Sequence, residues 1–70
     1  MSDNTYSISE IVGTSSEGLE EAIQNGLTRM SKSVRNLDWF EVASMRGQVG
    51  DGGGVAHYQV TLKVGFRMEG

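Results

Sequence analysis

Cysteine is absent from this 70-residue chain, and histidine and tryptophan each occur once. Without thiols there is no disulfide staple and no thiolate metal site, and a single histidine cannot furnish the paired imidazoles of a zinc centre. The lack of cysteine suits a reducing compartment, so a cytoplasmic protein is expected. No apolar run approaches the ~20 residues of a membrane helix, which leaves a membrane partner without support. Met1 to Thr5 show neither the basic cluster nor the apolar stretch of a secretory signal, and none is expected. Basic residues are also few, six against nine acids for a net charge of −3, which argues against binding to nucleic acid.

So short a chain buries little: the apolar surface lost to water on folding roughly offsets the entropy of ordering. With disulfides and thiolate or paired-histidine metal sites set aside, self-association, with or without a bound ligand, is the stabilising route that remains. There is no linker and no internal repeat, so residues 1–70 read as a single domain. Glycine is plentiful, with 10 residues, and it clusters in Gly50-Asp51-Gly52-Gly53-Gly54. No Gly-Lys-Ser/Thr follows that cluster and no helical pattern starts after it, so it reads as a hairpin turn and not as a phosphate loop.

Thr5 to Val12 is rich in β-branched and aromatic residues and predicts a strand ending at Gly13. Thr14 as N-cap with Glu17 three residues later fits a capping box. From Ser15 to about Val34, Leu19, Ala22, Ile23, Leu27, Met30 and Val34 recur at helical spacing, with acids early and bases late. Leu37 to Arg46 predicts a second strand. Between Ala56 and Met68 every even position is apolar and most odd ones are polar, the mark of a third strand with one buried face.

The order β-α-β-β with a helical crossover and a glycine hairpin places the third strand between the other two, antiparallel to both. The expected fold class is α+β: a three-stranded antiparallel sheet of order 1-3-2 with one helix across its apolar face. Setting Phe40 and Val42 under that helix sends Trp39, Glu41, Ala43 and Met45 to the open face with Gln59, Thr61, Lys63 and Arg67. Centring the hairpin on Gly52 pairs Trp39 with Gly65, which leaves room for a ring, and Met45 with Gln59. Trp39 and Gln59 then stand roughly 20 Å apart along the ladder, so one planar ligand touching both needs two chains or a strongly bent strand. An indole on an uncovered sheet face reads either as a subunit-interface anchor or as a stacking platform for a flat ligand.

Other signals are weaker. His57 has no second histidine at ligand spacing and no triad partner, and reads as a sheet-surface residue. Glu17, Glu20 and Glu21 read as a solvated helix start, and Gly13-Thr14-Ser15-Ser16 as ordinary capping. Since no nucleophile, metal set or acid-base pair stands out, an enzyme is not expected.

Glu10-Ile11-Val12-Gly13-Thr14-Ser15, Leu37-Asp38-Trp39-Phe40-Glu41-Val42 and His57-Tyr58-Gln59-Val60-Thr61-Leu62-Lys63-Val64-Gly65-Phe66 together resemble the dodecins. The resemblance spans nearly the whole chain; the hairpin looks longer and richer in glycine than in that family. It implies a hollow homododecamer of β-α-β-β subunits that binds flavins in pairs near two-fold axes, storing or sequestering them and quenching their excited state. It implies that Trp39 stacks on the isoalloxazine of FMN or riboflavin and that Gln59 hydrogen-bonds the ring's polar edge. A phosphate on that ligand would need a base on this acidic protein, and Arg46, Lys63 and Arg67 are the candidates. Coenzyme A is a further ligand suggested by the resemblance, at positions the sequence does not locate. The alternative is a structural or interaction oligomer with Trp39 as interface anchor.

Overall fold

The computed structural model describes residues 3–69; Met1, Ser2 and Gly70, and what was read from them, lie outside the described residues. The chain runs β1 (Tyr6–Ser15), α1 (Leu19–Ser31), β2 (Leu37–Val49), one 3-10 turn (Asp51–Gly53) and β3 (Val55–Arg67). The sheet order is β1-β3-β2, antiparallel throughout. This is the architecture expected from the sequence.

β1 does not stop at Gly13. Gly13 pairs with Val60 inside the ladder, and its missing side chain is where the helix comes close. A Cβ there would meet the Ala22 carbonyl and stand 3.2 Å from the Gly26 nitrogen. The glycine therefore serves packing of backbone on backbone, and the strand continues past it. As a consequence Thr14 lies in β1 opposite Gln59 and caps nothing. The helix starts later than expected, with Gly18 at the N-cap and no side-chain cap. Ser15 Oγ accepts a hydrogen bond from the Glu17 amide at 2.9 Å and closes the turn before it. The charge order along α1 is as read: Glu20 and Glu21 in the first turn and Arg29 in the last. The helix ends at Ser31, short of Val34, and the chain leaves through Asn36 at φ 66°, a conformation asparagine tolerates.

The hairpin strands are longer than read, reaching Val49 and starting at Val55, while Met68 falls just beyond β3. Gly50 and Gly54 close the turn, amide to carbonyl at 2.7 Å, and Gly52 and Gly53 take φ of 81° and 91°. Glycine is needed at those two positions because side chains disfavour positive φ.

The buried core is small: Ala22, Met30, Val60, Leu62 and Val64. Its size follows from element lengths. Thirteen helical residues span about 20 Å, whereas the 13 residues of β2 or β3 span about 43 Å. α1 packs on β1 and β3, held there by the Gly13 contact, and does not cover β2. Phe40 and Val42, expected beneath the helix, are paired with Val64 and Leu62 on that side of the sheet but remain 45% and 38% exposed. Phe40 lines an open groove of about 300 Å³ between α1 and β2, together with Gln24, Leu27, Thr28, Leu37 and Asp38. The result is an elongated subunit, 57 × 20 × 14 Å.

Candidate functional site

The face of the sheet opposite α1 carries no covering layer. Antiparallel pairing arranges its side chains in rows across the three strands: Ile8–Gly65–Trp39, Glu10–Lys63–Glu41, Val12–Thr61–Ser44 and Thr14–Gln59–Arg46. Tyr6 and Arg67 pair at the end of β1, beyond the Ile8 row.

Two irregularities in β2 decide which residues reach this face. Leu37 opposes Phe66 while Trp39 opposes Gly65, so Asp38 is an extra residue. Val42 opposes Leu62 while Ser44 opposes Thr61, so Ala43 is another. Each bulge shifts the alternation by one. Between them Trp39 and Glu41 sit on the open face, as read from the sequence. Beyond the second, Met45 pairs with Val60 and turns to the helix side, and Arg46 pairs with Gln59 on the open face. The expected pairing of Met45 with Gln59, and the placing of Met45 on the open face, are corrected by this bulge.

The indole of Trp39 lies over Gly65. A Cβ on Gly65 would fall on Cε2 and Cζ2 of the ring and 2.6 Å from Nε1, and the glycine is itself buried beneath it. Only a residue without a side chain can seat the ring this way. Trp39 keeps 40% of its surface exposed, so the indole rests on backbone with part of its surface turned outward. Gln59 lies six residues from Gly65 along β3, roughly 20 Å at 3.4 Å per residue. One subunit therefore does not bring Trp39 and Gln59 together.

The three basic candidates differ in surroundings. Lys63 stands between Glu10 and Glu41 in its row. Arg67 faces Tyr6. Arg46 is in an otherwise uncharged row beside Gln59 and Thr14, without the flanking acids that Lys63 has. His57 pairs with Gln48 near the hairpin end.

One element of the site escaped sequence reading. Tyr6 Oη donates a hydrogen bond to Asp38 Oδ2 at 2.8 Å, spanning from β1 to β2 over the intervening β3. That bond to a carboxylate, reinforced by desolvation and by the charge of Asp38, pushes the Tyr6 phenol above its ordinary pKa of 10.0, against smaller opposing effects of Asn4 and Arg67. Alternation alone could have put Tyr6 on the open face. The bulge that raises Asp38 to meet it has no sequence mark.

Known proteins align with the chain over almost all its length. The dodecin family model matches residues 5–69. Dodecin of Thermus thermophilus is 58% identical over 64 residues, 91% of each chain. The structure of dodecin from Streptomyces davaonensis matches with a TM-score of 0.92 at 55% identity, over 99% of this chain and 100% of that one. Dodecin from Streptomyces coelicolor matches with a TM-score of 0.91 at 54% identity, over 100% and 99%. Sequence and fold agree along the same residues, and the chain belongs to the dodecin family.

Proposed function

We propose that this protein is a flavin-binding, non-catalytic oligomer that sequesters FMN or riboflavin between subunits of a homododecamer and quenches its excited state. The observation that carries the reading is the indole of Trp39 seated on Gly65 with part of its surface open. The residues fit the ligand: a fused, electron-poor ring stacks on an indole, and the Gln59 amide offers both a donor and an acceptor to its polar edge. Held in van der Waals contact, Trp39 donates an electron to the photoexcited ring and lets it relax without emission. Arg46 is the residue we assign to a phosphate, ahead of Lys63, which stands between two acids, and of Arg67, which faces the Tyr6 phenol bound to Asp38.

Trp39 and Gln59 lie too far apart for one ring to touch both in one subunit, so the proposed site draws them from two copies. Self-association also accounts for the exposed apolar residues Phe40, Val42 and Met45 on the helix side, which are surface a lone subunit leaves in water. Nothing in the geometry points to coenzyme A, and it is not part of the proposal.

Titration of FMN and of riboflavin with the protein, read as flavin fluorescence, tests the reading. Emission should fall on binding, and Trp39→Ala should abolish most of the fall while leaving a particle near 91 kDa, twelve copies of 7.6 kDa, on size exclusion. Undiminished flavin emission at saturating protein would sink it. Loss of the particle in Trp39→Ala would favour an interface anchor instead.

A further inference from the structure

The Tyr6–Asp38 bond joins strands that are not neighbours. β3 lies between β1 and β2, yet Tyr6 Oη reaches Asp38 Oδ2 at 2.8 Å across it. Asp38 is the bulged residue of β2, and the next residue is Trp39, whose pairing with Gly65 resumes the ladder. A bulge is a local bend whose twist sets the direction of the side chain that follows. Here the bend falls at the start of an outer strand: Leu37 before it packs against the core, while Asp38 itself borders the open groove beside α1. Between the ladder pairs on either side, Leu37 with Phe66 and Trp39 with Gly65, the bulged residue itself is tied to β1 by this side-chain hydrogen bond.

We propose that Tyr6 and Asp38 form a positioning pair that locks the bulge and thereby holds the Trp39 indole over Gly65, ready to stack on a ligand. Their register supports this. Tyr6 pairs with Arg67, two residues along β3 from Gly65, so the bridge spans the sheet immediately beside the Ile8–Gly65–Trp39 row. Neither residue is assigned contact with the ligand. The Asp38 carboxylate accepts a hydrogen bond from the Tyr6 hydroxyl, one with a charged partner and hence stronger than a neutral one. The proposal rests on Trp39 being a stacking platform as far as ligand affinity is concerned, but the orientation of the indole is open to measurement without any ligand.

The test is Tyr6→Phe, which removes one oxygen and keeps the ring. Trp39 is the only tryptophan, so the long-wavelength edge of the near-ultraviolet circular dichroism, beyond the absorption of Tyr6 and Tyr58, and the emission excited there report this site alone. Tyr6→Phe should weaken the Trp39 dichroic signal in the ligand-free protein and raise the Kd for FMN on the order of tenfold, the worth of one charge-assisted hydrogen bond. Size exclusion should show an unchanged particle. Asp38→Asn keeps an acceptor oxygen for the phenol and should retain most of the signal and affinity, whereas Asp38→Ala should behave like Tyr6→Phe. An unchanged Trp39 signal in Tyr6→Phe overturns the proposal. So does loss of assembly in both Tyr6→Phe and Asp38→Ala, which would make the bond a general structural tie. If the unmutated protein binds no FMN but Tyr6→Phe still changes the Trp39 signal, the flavin reading fails and the positioning role stands.

Discussion

Gly65→Ala separates a ring seated on the sheet from one that merely lies near it. Trp39 is 40% exposed, so about 60% of its surface is covered, roughly 150 Å² of a side chain of about 250 Å². At ~25 cal/mol/Å² that cover is worth at most about 4 kcal/mol. The new methyl would fall on Cε2 and Cζ2 of the indole and 2.6 Å from Nε1, whereas packed carbons sit about 3.5–4.0 Å apart. The ring must lift by more than about 1 Å. It can do so without breaking the ladder, because the face above it is uncovered, so part of its cover is lost and the sheet survives. The expected destabilisation is about 1–3 kcal/mol, the usual range for an overpacked contact and less than the full cover. Thermal and urea unfolding measure it. In the same variant the Trp39 emission should shift toward that of a more hydrated indole, and the Kd for FMN read by quenching should rise about tenfold for each 1.4 kcal/mol of stacking lost. A Gly65→Ala protein with native stability, unchanged Trp39 emission and native FMN quenching would refute the seating of the indole on Gly65.

Two further outcomes are expected. Gly13→Ala forces a methyl against the Ala22 carbonyl and the Gly26 amide, backbone atoms of a helix that cannot rotate away; it should cost about 3 kcal/mol, read as a lowered Tm, and a native Tm would contradict the close approach of α1 to β1. The Tyr6 phenol, raised by its bond to Asp38, stays protonated to higher pH in the folded than in the unfolded chain. Its contribution to stability is therefore full below pH 10.0 and is lost as pH climbs from 10.0 through the raised folded value. The absorbance titration component that disappears in Tyr6→Phe should lie above 10.0, and a midpoint at or below that value would remove the hydrogen bond as its cause.

Much of this subunit is legible in a single sequence because periodicity is a local property. Even-odd alternation in 56–68 identifies the buried side of β3, and three-and-four spacing from Leu19 to Met30 identifies the buried stripe of α1. Together with the hairpin they leave order 1-3-2 as the fold, and centring on Gly52 finds the pairing of Trp39 with Gly65. What periodicity cannot register is a residue added to one strand and not to its neighbour. The bulges at Asp38 and Ala43 carry no composition signal, yet the one at Ala43 carries Met45 off the open face and places Arg46 on it opposite Gln59. Gly13 shows the same limit in another form. In sequence it looks like a strand end, and only the approach of the helix explains why the strand passes through it.

The sequence by itself determined the elements, their order and the exposed tryptophan, since these depend on residues close along the chain. It also pointed to self-association through the absence of any staple for so short a domain. The tertiary structure decided how far the helix reaches. A rise of about 1.5 Å per residue against about 3.3 Å leaves a 13-residue helix unable to roof 13-residue strands, so β2 is left uncovered. It also decided which side chains meet across the sheet, where Tyr6 finds Asp38 from a strand away. Contacts of that kind depend on register and bulges between segments 32 residues apart, and no local pattern encodes them.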